Sequence, residues 1–355
     1  MPALAVTGIV CWIRHTKIET GFGSQQVHCQ PIIMVSLRAR LLQFVLKICL
    51  RSVWKKGAAV EVVRRRAAAL DRLFPRPPAG TVVAPVDAGG VPCRWASAPG
   101  VSPERTLLYF HGGGFSIESP RLHTNFATAI GRGINSRALL VDYRLAPEHP
   151  FPAAPDDCLQ AYRWLLKQPG VDPSRIVIAG DSAGANLTLV TLLQIKEAGL
   201  PMPAAAWALS PGVDCDWSHT NFEELQKLDP MFTREALDIM TPYFGDTDRR
   251  DSRISPINGD LRGLPPMLLE AGEKEMLRDH PPRFAERAQE AGVEVVCRVW
   301  QGMPHVFQSF GFLPEAKLAR QQACDFLNEH MAYTSYNIKD QKSFAGTGPE
   351  RPLIS

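Results

Sequence analysis

The sequence predicts an α/β protein built on a mostly parallel sheet with helices on both faces, and three observations predict it. Short apolar, β-branched runs alternate with helix-patterned segments of ten or more residues, which is the rhythm of parallel strands joined by helical crossovers. One such run, Ile176-Val177-Ile178-Ala179, meets Gly180-Asp181-Ser182-Ala183-Gly184 and passes straight into a helical stretch, so a serine sits at a sharp strand-to-helix bend. The chain has 355 residues, 45% of them hydrophobic and 21% charged, a size and balance suited to one large core with an accessory layer rather than to disorder or a repeat array.

Taken in order, residues 1–33 are poorly patterned and read as an extension to the core. Residues 6–12 are too short for the apolar stretch of a secretory signal, and no small-residue cleavage pattern follows. Residues 34–74 read as N-terminal cap helices. Leu41, Leu42, Phe44, Val45, Ile48, Cys49 and Val53 make one apolar face, while Arg38, Arg40, Lys47, Arg51, Lys55 and Lys56 make a basic one. That stretch is shorter than the ~20 residues a membrane span needs. Two roles are open to it: packing over a site as part of a lid, or lying on a membrane surface.

Pro75-Arg76-Pro77-Pro78 marks a boundary. The first part of the core follows, residues 75–215, opening with a hairpin or meander at 80–100. Strands are expected at 106–110, 138–143, 176–179 and 204–209, with a helix at 156–167. Residues 216–258 break the alternation. A helical segment there, with Met231, Phe232, Leu237, Met240, Tyr243 and Phe244 available for one apolar surface, reads as a cap or lid insertion, a plain packing helix being the other possibility. The second part of the core, 259–332, holds strands at 267–270 and 295–300. Residues 333–355 are polar and read as a flexible tail.

Composition narrows the function. A net charge of +3 with no basic stripe beside exposed aromatics gives no case for nucleic acid. The eight cysteines are scattered, without a Cys-x-x-Cys pair, and read as buried thiols in a reducing compartment rather than as a metal site or a disulfide set. A cytoplasmic location is the expectation.

The residues that carry chemistry lie at strand ends. Gly180 and Gly184 flank Ser182 where a side chain would strike the neighbouring strand or helix, and the helix behind the serine offers free N–H groups to developing negative charge. His111-Gly112-Gly113-Gly114 follows the strand at 106–110, so Gly112, Gly113 and Ala183 are the expected N–H donors to an oxyanion. Of nine histidines, His305 follows the last strand and opens the final helix, the place for a base that comes after both nucleophile and acid in the chain. Glu275 and Asp279, after the strand at 267–270, both qualify as the acid, with Glu275 nearer the strand end and Glu273 also present.

These residues resemble the hormone-sensitive-lipase-like esterases of the α/β-hydrolase superfamily, the carboxylesterase group with the His-Gly-Gly-Gly motif. The likeness runs from about residue 106 to 326 and rests on four motifs in order. They are His111-Gly112-Gly113-Gly114-Phe115, the run from Asp142-Tyr143-Arg144-Leu145-Ala146-Pro147-Glu148 to Ala153, the serine motif, and Gly302-Met303-Pro304-His305-Val306-Phe307. The resemblance implies Ser182 as nucleophile, His305 as base, and Gly112, Gly113 and Ala183 as the oxyanion hole. Where many members have Asp-Pro-Leu this chain has Glu275-Met276-Leu277, which looks like the subgroup using a glutamate and favours Glu275. It further implies a helical cap, no cofactor, no metal, and an acyl ester of short to medium chain as the small-molecule substrate. A homodimer and peripheral lipid contact are the partners to expect. A lactonase or amidase, and a non-catalytic small-molecule receptor on the same fold, are the other readings; the receptors that resemble this family lack the histidine that His305 supplies here.

Overall fold

In the computed structural model, residues 35–51 and 59–344 are described, the last of them, 332–344, by backbone alone. Eight strands form a single sheet in the order β1-β2-β4-β3-β5-β6-β7-β8. These are β1 Val82–Asp87, β2 Pro92–Ser97, β3 Ser102–Phe110, β4 Ser136–Val141, β5 Ile176–Asp181, β6 Ala205–Leu209, β7 Met267–Lys274 and β8 Val295–Pro304. Strand β2 runs antiparallel to β1 and β4, and every pairing from β4 to β8 is parallel. The α/β-hydrolase fold expected from the sequence is therefore present.

The alternation of side chains along each strand divides the core. Leu108, Phe110, Ile176, Ile178, Ala206, Ala208, Met267 and Leu269 point to one face, against α4 Ala153–Leu166, α5 Ala183–Glu197 and α8 His280–Glu290. Their neighbours Leu107, Tyr109, Val177, Ala179, Ala205, Trp207 and Leu268 point to the other, against α3 Pro120–Gly133 and α9 Pro314–Phe344. A strand buried on both faces has no polar side to show, which is why these runs read as continuous apolar stretches.

Helix α9 continues past Tyr333 to Phe344, where the sequence pattern places the start of a flexible tail. Helical hydrogen bonds are local, so a polar segment can extend a helix without a buried face to announce it. Residues 1–34 and 345–355, on which the extension and the end of the tail fall, lie outside the described residues.

The cap is helical and comes from two places. Helices α1 Leu37–Cys49 and α2 Val60–Asp71 precede the sheet, while α6 Phe222–Leu228, a 3-10 segment Arg234–Met240 and the single turn α7 Thr241–Phe244 follow β6. The helix expected around 232–243 is thus a 3-10 segment leading into one α turn. Helix α2 is fastened by Arg64, whose guanidinium donates to the carbonyls of Ser116 (2.7 Å) and Ala146 (2.8 Å) and pairs with Glu148 at 2.6 Å. Helix α1 turns most of its apolar face outward. It buries Ala39 and Leu46, and leaves Leu41, Phe44 and Ile48 64%, 62% and 58% exposed. Ala39 lies in one buried cluster with Trp300, Met303 and Phe307, with Leu42 packed against it. Val53 lies outside the described residues.

Candidate functional site

The site sits where strand order reverses. Strands β3 and β5 are neighbours although α3, β4 and α4 separate them in the chain, and in open parallel sheets such a switch point opens a crevice at the C-terminal strand ends. The glycine turn leaves β3 there and Ser182 leaves β5.

Ser182 has φ 54° and ψ −118°, a backbone conformation that L-residues adopt only when their surroundings impose it. Two close approaches impose it here. A Cβ on Gly180 would run into the carbonyl of Gly184, and a Cβ on Gly184 would run into those of Phe110 and His111. The serine N–H is held by Leu209 O at 2.8 Å, while α5 begins at Ala183 with its first N–H groups unpaired by the helix itself.

His305 follows β8 and is buried. Its Nδ1 lies 3.5 Å from Oε1 of Glu275, an ion-pair contact longer than a good hydrogen bond, and no hydrogen bond to its Nε2 is present among the described residues. Phe232 from the cap stands edge-on to the ring, centroids 5.1 Å apart and planes at 83°. Burial disfavours the charged imidazole, but Glu275, with smaller contributions from Asp229 and Asp181, outweighs it and raises the pKa above the ordinary 6.5.

Glu275 is fully buried. Its Oε2 accepts from Ser210 Oγ at 2.8 Å and from Gly272 N at 3.0 Å, leaving Oε1 for the imidazole. Asp279 is instead the cap residue of α8 and pairs at 3.2 Å with its neighbour Arg278, half exposed. Glu273 accepts from Gly302 N at 2.7 Å. The structure thus brings Glu275, and neither of the other two carboxylates, to His305.

One expected oxyanion donor is not free. The N–H of Gly112, expected as a donor, is instead engaged by Asp181 Oδ1 at 2.9 Å, whereas no hydrogen bond from Gly113 N or Gly114 N is present among the described residues. The cause is the aspartate of the serine motif. Buried Asp181 also accepts from Tyr109 Oη at 2.5 Å and lies 3.6 Å from His123 Nε2. Burial alone would raise its pKa, but His123, Tyr109 and Gly112 together hold it below the ordinary value. The carboxylate welds the glycine turn to the serine turn. Gly113 has φ +123°, and a Cβ there would strike the Ile117 carbonyl, so both its conformation and its closeness require glycine. His111 stacks on Tyr143 at 4.3 Å and 12°, and burial foremost, with His123 adding to it, pushes its pKa down to about 3. It is a neutral structural ring whose Nδ1 meets Gly112 O at 2.7 Å.

Three participants escape sequence reasoning. Ser210 bridges Glu275 to Val306 N, the latter bond 3.2 Å long. Asp181 reads in sequence only as the filler of a motif, and Asp229 as one of several loop acids. Each acts through backbone N–H groups that only the folded chain assembles. The cap closes the crevice from above: a Cβ on Gly114 would lie 3.3 Å from Met240 Cγ and 3.4 Å from Ile239 Cγ2, and Phe115 stacks on Tyr243 at 3.9 Å. Among the described residues no group of three or more His, Cys, Asp or Glu could hold a metal ion.

Comparison with known proteins shows the family of this fold. Residues 107–309 match the profile of a family described as an alpha/beta hydrolase fold. An acetyl-hydrolase of Streptomyces hygroscopicus is 40% identical over 227 residues, covering 63% of this chain and 75% of its own. An esterase of Acinetobacter venetianus is 35% identical over 284 residues, covering 79% of this chain and 93% of its own. Among solved structures, an esterase from the bacterial hormone-sensitive lipase family superposes with a TM-score of 0.78 at 35% identity, over 84% of this chain and all of that one (100%). A hormone-sensitive-lipase homologue from a metagenome library superposes with a TM-score of 0.76 at 40% identity, over 82% and 98% of the two chains.

Proposed function

This chain belongs to the hormone-sensitive-lipase-like carboxylesterases of the α/β-hydrolase superfamily, and from that premise we propose that Ser182, His305 and Glu275 perform its ester hydrolysis. The protein is a serine-type carboxylic ester hydrolase. The observation that carries the residue assignment is the buried contact of Glu275 with His305 Nδ1, which leaves Nε2 as the nitrogen able to take a proton.

Ser182 Oγ attacks the acyl carbon as Nε2 of His305 takes its proton, and Glu275 stabilises the imidazolium. The carbonyl oxygen becomes an oxyanion held by the N–H groups of Gly113, Gly114 and Ala183, each donor worth roughly 3 kcal/mol at the transition state. Collapse of the tetrahedral centre breaks the ester C–O bond, and the imidazolium proton leaves on the alcohol. Water then gives a proton to Nε2 and attacks the acyl-enzyme. Its collapse frees the carboxylic acid and returns the proton to Ser182.

The substrate side of this reading is an acyl ester of short to medium chain. Its support is the closeness of Ile239 and Met240 to the glycine turn, a wall from the cap insertion that shortens the space behind the acyl carbon. An ester panel from acetyl to palmitoyl tests it: turnover is expected to be highest from butyryl to octanoyl, and a maximum on palmitoyl would reject it. Lactones share the same chemistry, and a parallel lactone and amide series ranks them.

A second reading rests on α1. Its exposed Leu37, Leu41, Phe44, Val45 and Ile48 lie on one face with Arg38, Arg40 and Lys47 beside them, apolar and basic together, which suits an anionic lipid surface. The full chain is expected to sediment with vesicles rich in phosphatidylserine at low salt and to lose this in a Phe44→Ser, Ile48→Ser variant. Failure to sediment, or dimerisation through the same face, rejects it. Membrane attachment of this kind needs no spanning segment, and among the described residues no helix is long and apolar enough to cross a membrane. Cys93, Cys158, Cys215, Cys297 and Cys324 are free thiols, which supports a cytoplasmic location.

A further inference from the structure

Asp229 lies in the cap insertion, at the end of α6, and is almost completely buried, with no ion pair to its carboxylate among the described residues. Its carboxylate collects three backbone N–H groups from two separate elements. Oδ1 accepts from Met231 N at 2.7 Å and Phe232 N at 2.9 Å, both in the cap. Oδ2 accepts from Met276 N at 2.9 Å, the residue directly after Glu275. The backbone carbonyl of Asp229 in turn receives Arg51 from beyond the end of α1, at 3.2 Å. One residue therefore joins both parts of the cap to the turn that carries the acid.

The consequence reaches the imidazole. Phe232, fixed by that clamp, is the ring that stands edge-on to His305 at 5.1 Å. We propose that Asp229 is a positioning residue for the hydrolytic reaction: it clamps the cap to the acid turn, so that Phe232 shields the His305–Glu275 pair. This role rests on the assignment of His305 and Glu275 made above.

A carboxylate is costly to bury, and three N–H donors are what make it tolerable here. Burial still pushes its pKa up to about 6, against the pull of the Phe232, Met231 and Met276 N–H groups and of His305. An asparagine of the same shape would keep Oδ1 for Met231 and Phe232 but set an NH₂ group against Met276 N, so the clamp would open on the acid-turn side while the fold kept its volume. The charged and titratable groups acting on His305 are Glu275 from the β7 turn, Asp229 from the cap and Asp181 from the end of β5. Since the base must be neutral and the clamp ionised, two deprotonations are needed as pH rises.

The test uses the full chain with Asp229→Asn, Phe232→Leu and Ser182→Ala beside the parent, measuring kcat, KM, Tm and the pH dependence of kcat/KM. Asp229→Asn is expected to lower kcat about tenfold with KM within about twofold. The acid limb of log kcat/KM is expected to relax from a slope between about one and two to a slope of about one, and to move to lower pH, because a negative charge has left the imidazolium. Phe232→Leu keeps the clamp and is expected to lower kcat with little change in Tm. A role in stability alone would lower Tm and leave the slope and kcat of the folded fraction as in the parent, and that result overturns the proposal. If Asp229→Asn does not fold, parental kcat in Phe232→Leu overturns it equally. Activity surviving in Ser182→Ala would overturn the hydrolase assignment instead, so the two failures are distinguishable.

Discussion

Ser210 donates its hydroxyl to Glu275 Oε2 at 2.8 Å while accepting the N–H of Val306 at 3.2 Å, so one small side chain fixes Glu275 and the residue after His305. Its own N–H is held by the Glu270 carbonyl, and it sits at φ +52°, an unusual conformation for a serine that points to a constrained position. Ser210→Ala removes the donor and leaves Val306 N and one carboxylate lone pair unsatisfied in a buried place. The cost is about 1–3 kcal/mol of stability, read as a shift in urea midpoint, together with a fall in kcat at nearly constant KM. An unchanged midpoint and kcat would show that water takes over the role.

The choice of acid is tested by a pair of substitutions. Glu275→Ala is expected to lower kcat/KM between about a hundred- and ten-thousandfold, because the imidazole loses both its orientation and the partner of its positive form. Asp279→Asn, at a half-exposed position paired with its neighbour Arg278, is expected to retain parental turnover. The reverse ranking would move the acid to α8.

The pH profile is set by the environment of His305. Its pKa is raised above 6.5, and the attacking step needs the neutral ring, so kcat/KM should fall as pH drops through that raised value. Glu275→Gln takes away the charge that raises it and leaves burial, which lowers it. The acid limb of whatever activity remains should therefore move to lower pH. For folding the sign is opposite: the Glu275–imidazolium contact stabilises the native state below the unfolded histidine pKa, and that contribution fades as pH rises through the native value. A limb that stays in place in Glu275→Gln would contradict the pairing.

The serine turn predicts a defect in stability rather than in chemistry. A methyl on Gly184 has no space, since it meets the carbonyls of Phe110 and His111, backbone atoms at the heart of the sheet that cannot give way. Gly184→Ala is expected to cost more than about 3 kcal/mol, seen as loss of soluble protein or a lowered urea midpoint. Parental stability would mean that β3 and β5 are not locked together as described.

Much of this fold and site is legible in the sequence because it is written in local pattern. Strands buried on both faces are apolar runs, and a turn that must bend sharply against a strand needs glycine at 180 and 184. A histidine directly after the last strand is placed by that strand's own pattern. Other features are not legible because they depend on which atoms meet across the chain. Gly112 looks as able to hold an oxyanion as Gly113 until Asp181 claims its N–H. The apolar stripe of α1 leaves packing and lipid contact both open until Ala39, opposite it, proves to lie in the buried cluster of Trp300 and Phe307. Asp229 looks like any loop acid until three N–H groups from distant residues converge on it.

Ser182 as the nucleophile, with His305 as the group that activates it, is the claim on which the rest depends. The most direct measurement is labelling by an organophosphate, read by mass spectrometry of the digested protein, on the parent, Ser182→Ala and His305→Ala. One adduct is expected, on the peptide bearing Ser182, formed in parallel with loss of ester turnover, absent in Ser182→Ala and slowed at least about a hundredfold in His305→Ala. Ester turnover that survives in Ser182→Ala, or an adduct on another serine that forms as turnover is lost, would contradict it.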